Sequence, residues 1–282
     1  LQLEHNKRTW RVEWVQMFIG EGFDAEMGFV PRKDIIFFSP EFTYRIFPGD
    51  GKVSFHNINV DTRIIYKLGK EDNEIFQGFG REELGFELRW HTRFNNNSDI
   101  RFKCNYSDFV LLEDFDPTRI QEDEIFKSAG SKFQNLIFEL SYNTDRRKRL
   151  YARVRPFVGA YYDGFRSGIA TTMSYRFQPY GSISVELNYN HIKLDEPFEE
   201  ANLWLIGPKL DLTFTRKLFL TSFVQYNTQF DNLNMNTRFQ WRFAPVSDFF
   251  LVYTDNYDTG IPSRFQSRNR AFIAKLTYWL NL

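Results

Sequence analysis

From residue 232 to 243 the chain alternates apolar and polar side chains. Leu233, Met235, Thr237, Phe239, Trp241 and Phe243 fall on one side, and Asn234, Asn236, Arg238, Gln240 and Arg242 on the other. Successive side chains of a strand point to opposite faces, so this segment predicts a strand with one oily and one charged face. The pattern returns about fourteen times along the chain. It predicts strands near 7–19, 35–47, 52–68, 77–94, 98–113, 131–143, 149–163, 165–178, 181–194, 202–214, 217–230, 232–243, 247–256 and 269–281. Within 52–68 the pattern slips phase near Asn57 to Asn59, which predicts a bulge there.

The same division of faces is read in the other strands. Leu136, Phe138, Leu140 and Tyr142 oppose Asn135, Glu139 and Asn143; Ile183, Val185, Leu187 and Tyr189 oppose Ser184, Glu186, Asn188 and Asn190. Trp204, Ile206, Leu210, Leu212 and Phe214 oppose Lys209 and Asp211, and Phe272, Ala274, Leu276, Tyr278 and Leu280 oppose Lys275 and Thr277. Tight connections at Pro48–Gly51, Asn95–Asn97, Thr144–Arg147, Pro179–Gly181, Thr215–Arg216 and Pro245–Val246 alternate with mostly longer ones at 20–34, 69–76, 114–130, 195–201 and 257–268. The tight set carries Gly and Asn, which accept positive φ, and Pro, which presets φ.

Together these features predict an all-β fold: a transmembrane, antiparallel, up-and-down β-barrel of about fourteen strands, spanning residues 1–282 as one domain. A strand set of even number, starting on the tight-turn side, places both termini in the periplasm and the long loops outside. The competing reading is a large soluble all-β domain. Each oily face would then need a second sheet to cover it, whereas closing the sheet on itself satisfies every backbone group without an edge.

Composition agrees with a barrel. Apolar residues make up 42% of the 282 residues, and mean hydropathy is −0.47. A helical membrane protein needs about 20 apolar residues in a row for each span, and no such run occurs. A barrel meets lipid with only every second residue. The 32 Phe, 14 Tyr and 6 Trp suit aromatic girdles at the two membrane surfaces. With 36 basic and 36 acidic residues the totals exclude a strongly basic nucleic-acid binder. The single cysteine, Cys104, excludes an internal disulfide and reads as a small lipid-facing residue between Phe102 and Tyr106. The expected location is a bacterial outer membrane, with its lipids and lipopolysaccharide as partners. The chain opens at Leu1 rather than Met, and is expected to be the C-terminal part of a longer, exported protein.

Two stretches carry a resemblance. Gly22-Phe23, then Gly28-Phe29-Val30-Pro31-Arg32 and Asp34, resemble the GF…GFVPR-x-D signature of an uncharacterised barrel family of Bacteroidetes-like bacteria. Phe249-Phe250-Leu251-Val252-Tyr253-Thr254-Asp255, followed by Arg270 and a terminal strand, resembles the family's closing segment. The resemblance implies an outer-membrane barrel, often found behind a periplasmic domain similar to carbohydrate-binding module family 9. It implies no activity.

Candidate chemistry is sparse. His5, His56, His91 and His191 show no pairing at metal-ligand spacing, so no metal or other cofactor is expected. His91 reads as part of a polar network in the lumen. Ser54 and His56 share one face of a strand, a loose echo of a phospholipase pair, but no Gly-x-Ser-x-Gly or phosphate loop accompanies them, and Gly78-Phe79-Gly80 lacks a strand–loop–helix context. An enzyme is not expected. Acidic runs at Glu113, Asp114, Asp116, Glu122, Asp123 and Glu124, and at Asp195, Glu196, Glu199 and Glu200, do not match a calcium loop and read as solvated or as bridging cations to lipopolysaccharide.

The lumen face is the more informative. The predicted pore-lining residues are Glu87, Arg89, Arg101, Lys103, Glu139, Arg153, Arg155, Arg176, Glu186, Arg238 and Arg242, with Lys209, Lys275, Glu83 and Asp211 on the same face. Ten of these are basic and five acidic, a modest positive excess. In an open lumen such residues steer ions and anionic solutes. The expectation is a channel or substrate-specific transporter for small solutes. The alternative is a non-transporting barrel that anchors a periplasmic domain or serves as a subunit of an outer-membrane complex, with outer-membrane or periplasmic protein partners.

Overall fold

The computed structural model describes the chain except for residues 26–27, 29, 31, 50, 70–79, 119–126, 199, 261–265 and 281–282. The described strands are β1 (Gln2–Asn6), β2 (Trp10–Ile19), β3 (Ile35–Ile46), β4 (Val53–Lys67), β5 (Gly80–Phe94), β6 (Asp99–Val110), β7 (Lys132–Asn143), β8 (Leu150–Tyr161), β9 (Gly164–Phe177), β10 (Gly181–Lys193), β11 (Ala201–Thr215), β12 (Leu218–Asn227), β13 (Asn232–Ala244), β14 (Ser247–Asp258) and β15 (Gln266–Thr277). They form an antiparallel up-and-down sheet of fifteen strands in chain order. The expected closure into a barrel is not part of this pairing: β1 and β15 stand at the two ends of the order.

Two corrections concern the N-terminus. The expected first strand, 7–19, is a turn followed by β2, and an unexpected strand, β1, precedes it. Lys7 N donates to Trp10 O at 2.8 Å, and the chain turns there so that β1 pairs back on β2, Glu4 facing Glu13. The turn contains no Gly or Pro, so alternation runs across it in the sequence without a break. With β1 the described count becomes fifteen rather than fourteen, and the even-number argument for two termini on one side no longer applies. In β4 the irregularities lie between Val53 and Phe55 and between Ile65 and Tyr66, not near Asn57 to Asn59. Asn57 and Asn59 therefore point the same way, opposite His91 and Arg89.

The alternation of connections persists, and the new turn at residues 7–9 joins the tight set. The two-residue turn Pro245-Val246 holds Val246 at φ 56°, a left-handed value that a β-branched residue rarely adopts. Glycine matters at Gly159, where the position a Cβ would take lies 1.9 Å from Leu136 O of the neighbouring strand. Only a residue without a side chain admits that approach.

The chain divides into two compact units: Leu1–Tyr142 with Phe157–Arg166 and Lys193–Glu199, and Asn143–Pro156 with Ser167–Ile192 and Glu200–Leu282. In the first, apolar side chains stand out from one face: Trp14, Phe42, Tyr44, Phe86, Trp90, Ile100, Phe138 and Leu140 are all exposed. Its fully covered apolar residues are few, among them Ile35, Ile65, Leu194 and Phe198. The second unit repeats the arrangement, with Met173, Tyr175, Ile183, Val185, Trp204, Phe214, Trp241 and Leu276 exposed, and Phe272 exposed to 67%. Ile192 and Ala201 are its buried apolar residues. Neither unit has the buried core that a water-soluble domain of this size builds. Among the described residues no helix is long and apolar enough to cross a membrane.

Candidate functional site

The opposite face of the first unit is polar, and its registry brings residues into rows across six strands. Glu4 of β1 faces Glu13 of β2, which faces Glu41 of β3, then Asp61 of β4, Glu87 of β5 and Asn105 of β6. The adjoining row is Asn6, Arg11, Thr43, Asn59, Arg89 and Lys103. A third contains Arg45, Asn57, His91 and Arg101. Like charges placed directly opposite one another repel, so a row of five carboxylates demands compensation from the row beside it. Arg11 supplies it for three: it bonds Glu4 at 2.8 Å and Glu41 at 3.2 Å, and also pairs with Glu13. Arg89 pairs with Glu87 and lies 3.6 Å from Asp61, while Lys103 reaches Glu87 at 2.6 Å.

Between these rows lies a cavity of about 440 Å³. Its short side chains are Thr43, Asn57 and Asn59; its long ones are Arg11, Arg45, Arg89 and Arg101, with Glu41 and His91. Thr43 and Asn59 are buried. Asn59 Nδ2 donates to Glu41 Oε1 and to Thr43 Oγ1, each at 2.9 Å, but its Oδ1 has no partner, nor has Asn57 Oδ1. Every arginine at this cavity is already engaged. Arg45 donates to Asn6 Oδ1 at 3.1 Å and to Lys7 O at 3.0 Å, and Arg101 pairs with Asp99 at 3.2 Å. Asp99 also lies 3.7 Å from His91 Nε2.

Of the residues predicted to line a pore, Glu87, Arg89, Arg101 and Lys103 come together here. Glu139 sits on β7, half-buried, in the same unit. The others belong to the second unit. Arg153 Nε donates to Asn143 Oδ1 at 2.8 Å; Glu186 accepts from Asn188 Nδ2 at 3.1 Å; Arg242 pairs with Asp248 at 3.3 Å. Arg155 and Arg238 are exposed on β8 and β13, and Arg176 is half-exposed on β9. Arg11, Glu41, Thr43, Arg45, Asn57 and Asn59 also line the cavity and were not among the predicted residues. A turn without Gly or Pro obscured the strand of Arg11, and an apparent phase slip that of Asn57 and Asn59. With these strands in place, Glu4, Glu13, Glu41, Asp61 and Asp99 join the acidic side of the face. The positive excess is therefore offset in the first unit.

The remaining candidates separate. Ser54 donates to Asn95 Oδ1 at 2.7 Å, and His56 Nδ1 meets Thr92 Oγ1 at 2.8 Å, so the two serve different neighbours. His191 meets Asn202 at 3.1 Å. No group of three metal-ligating His, Cys, Asp or Glu side chains occurs among the described residues. In the acidic loop, Asp116 accepts from Thr118 N at 2.8 Å and Asp114 from Ala129 N at 2.8 Å; Glu122, Asp123, Glu124 and Glu199 lie outside the described residues. A clasp unforeseen from sequence joins three loops of the first unit. Lys127 pairs with Asp163 and lies over the ring of Phe198, 4.1 Å from its centre. Tyr162 packs on Phe133 and Phe115 at 5.0 and 6.1 Å. Arg32, of the GFVPR stretch, reaches Glu83 of β5 at 2.7 Å.

In the turn between β7 and β8, Asp145 holds its own loop together. Its carboxylate accepts from Arg147 N at 2.9 Å and from the Arg147 guanidinium at 2.9 to 3.2 Å. These bonds favour the charged form and lower the Asp145 pKa to about 2.

A scan against family models matches residues 1–217 to a domain of unknown function, DUF5916. The chain belongs to that family. The matched stretch includes every strand of the cavity and the whole GFVPR region, and stops before the Phe249–Asp255 segment. A search of curated proteins found no match.

Proposed function

We propose that this DUF5916 chain is a β-barrel of a bacterial outer membrane, of Bacteroidetes type, and that it passes small solutes as a channel or substrate-specific transporter. The observation that supports this reading is the division of single strands into two surfaces. One is exposed and apolar from Trp14 through Leu140 and again from Met173 through Leu280. The other is charged and cross-linked by ion pairs. Water tolerates the second surface but not so extensive a form of the first; a bilayer outside and water inside suit both. In this reading the sheet closes on itself in the membrane, because an open edge does not survive in hydrocarbon. Outer-membrane lipids and lipopolysaccharide are its surroundings, and it carries out no covalent chemistry.

The second reading is a non-transporting barrel that anchors a periplasmic domain or joins an outer-membrane complex. The pairing of Arg11, Arg89, Arg101 and Lys103 with carboxylates favours it, since paired charges stabilise a polar interior as well as they line a pore. Conductance in planar bilayers separates the two. The transport reading expects discrete openings after incorporation of the purified chain. A protein that inserts and stays closed at all voltages would leave only the anchor.

A further inference from the structure

The geometry points to a binding site for a neutral, polyhydroxylated solute in the cavity bounded by Thr43, Asn57, Asn59 and the four arginines; this rests on the transport reading and names the kind of solute. Three observations narrow the ligand. First, the volume, about 440 Å³, lies within the roughly 300–1,000 Å³ of small-molecule pockets and suits one or two sugar-sized rings.

Second, two of the unmet groups are acceptors, and a third, His91 Nε2, donates or accepts according to its tautomer. Asn57 Oδ1 and Asn59 Oδ1 are buried without a partner, and Asn59 as a whole is only 6% exposed. A buried acceptor left unmet is costly, so what fills the cavity must donate hydrogen bonds. Simple anions such as sulfate or chloride do not do that.

Third, the charges are already matched. Arg11, Arg89 and Arg101 each hold a carboxylate, and Arg45 holds two carbonyl-type oxygens. A simple anion would have to compete with Glu41, Glu87 and Asp99 for them. An ammonium would meet four guanidinium groups. A hydroxyl avoids both difficulties, because it donates to an asparagine oxygen while accepting from a spare guanidinium N–H. Vicinal hydroxyls can do this twice, along the pair Asn57 and Asn59.

The test is calorimetric titration of the purified chain in detergent micelles. The probes are glucose, mannitol and maltose as neutral polyols, gluconate as an anion and glucosamine as a cation. Binding of at least one neutral polyol is expected, with gluconate and glucosamine weaker. Asn59→Leu should weaken that binding about tenfold, as loss of one buried hydrogen bond predicts. Asn57→Leu serves the same purpose should Asn59→Leu fail to fold, with folding judged by circular dichroism. Flotation of the same preparation with lipid vesicles reports the membrane reading separately. Insertion without binding of any neutral polyol would overturn the inference and leave the membrane reading standing. Tighter binding of gluconate would overturn it in favour of an anion site, and polyol binding unchanged in both leucine variants would place the sugar elsewhere. A chain that binds maltose but does not float would sink the membrane reading instead.

Discussion

Phe138 and Leu187 carry the division of faces at the scale of single residues. Phe138 is exposed on β7, with Phe102 of β6 beside it at 6.3 Å. Leu187 faces Ile206 across β10 and β11, while its neighbour Asn188 bonds Glu186 on the other side. Arginine at Phe138 or Leu187 would stand in hydrocarbon, at about 2–4 kcal/mol near the bilayer centre. Arginine at Asn188 would stand in water and change stability little. Refolding of the three variants into lipid vesicles checks this; equal damage from all three would reverse the assignment of faces. Asp145 gives a second residue-scale expectation. Its folded-state pKa, about 2, lies below the ordinary 3.8, so its contribution is fully present above that ordinary value and is lost as pH falls through about 2. Asp145→Asn should lower stability at neutral pH and flatten its acid limb, the difference from the parent vanishing as pH falls through about 2, as denaturant unfolding at stepped pH would show. Single residues were legible as to face, because strand periodicity is local. Their partners were not, because register decides which carboxylate meets which arginine, and register is a property of two strands.

Among elements, β2 to β6 were recognisable as strands, but their row of carboxylates was not. Glu13, Glu41, Asp61 and Glu87 lie far apart in sequence and align only once each strand has its register. β1 escaped notice for a different reason: five residues hold too little alternation to register, and Asn6-Lys7-Arg8-Thr9 turns without Gly or Pro. The row predicts an asymmetry between substitutions. Arg11→Met removes the one cation shared by Glu4, Glu13 and Glu41. With that side chain 26% exposed, a loss of about 1–2 kcal/mol is expected, below the 3–5 typical of fully buried pairs. Arg63→Met removes only an exposed contact to Glu83 and should fall within about 0.5 kcal/mol of the parent. Chemical unfolding of both in the same detergent decides it; equal losses would mean that the carboxylate row needs no shared cation.

For the whole molecule, the fold class was legible because alternation recurs from end to end and because tight and long connections alternate with it. The candidate site was legible in β5 and β6, where Glu87, Arg89, Arg101 and Lys103 stood out, whereas Arg11, Glu41, Thr43, Arg45, Asn57 and Asn59 on β2 to β4 did not. The central claim is that each strand shows one face to lipid and the other to water. Spin labels placed one at a time from Asn135 to Tyr142, with Cys104 replaced by serine and the protein in lipid vesicles, test it most directly. The account predicts that collisions with oxygen peak at Leu136, Phe138, Leu140 and Tyr142, and that collisions with a water-soluble nickel chelate peak at Asn135, Ile137, Glu139 and Ser141. Access of the chelate to every position alike, with no alternation, would contradict it.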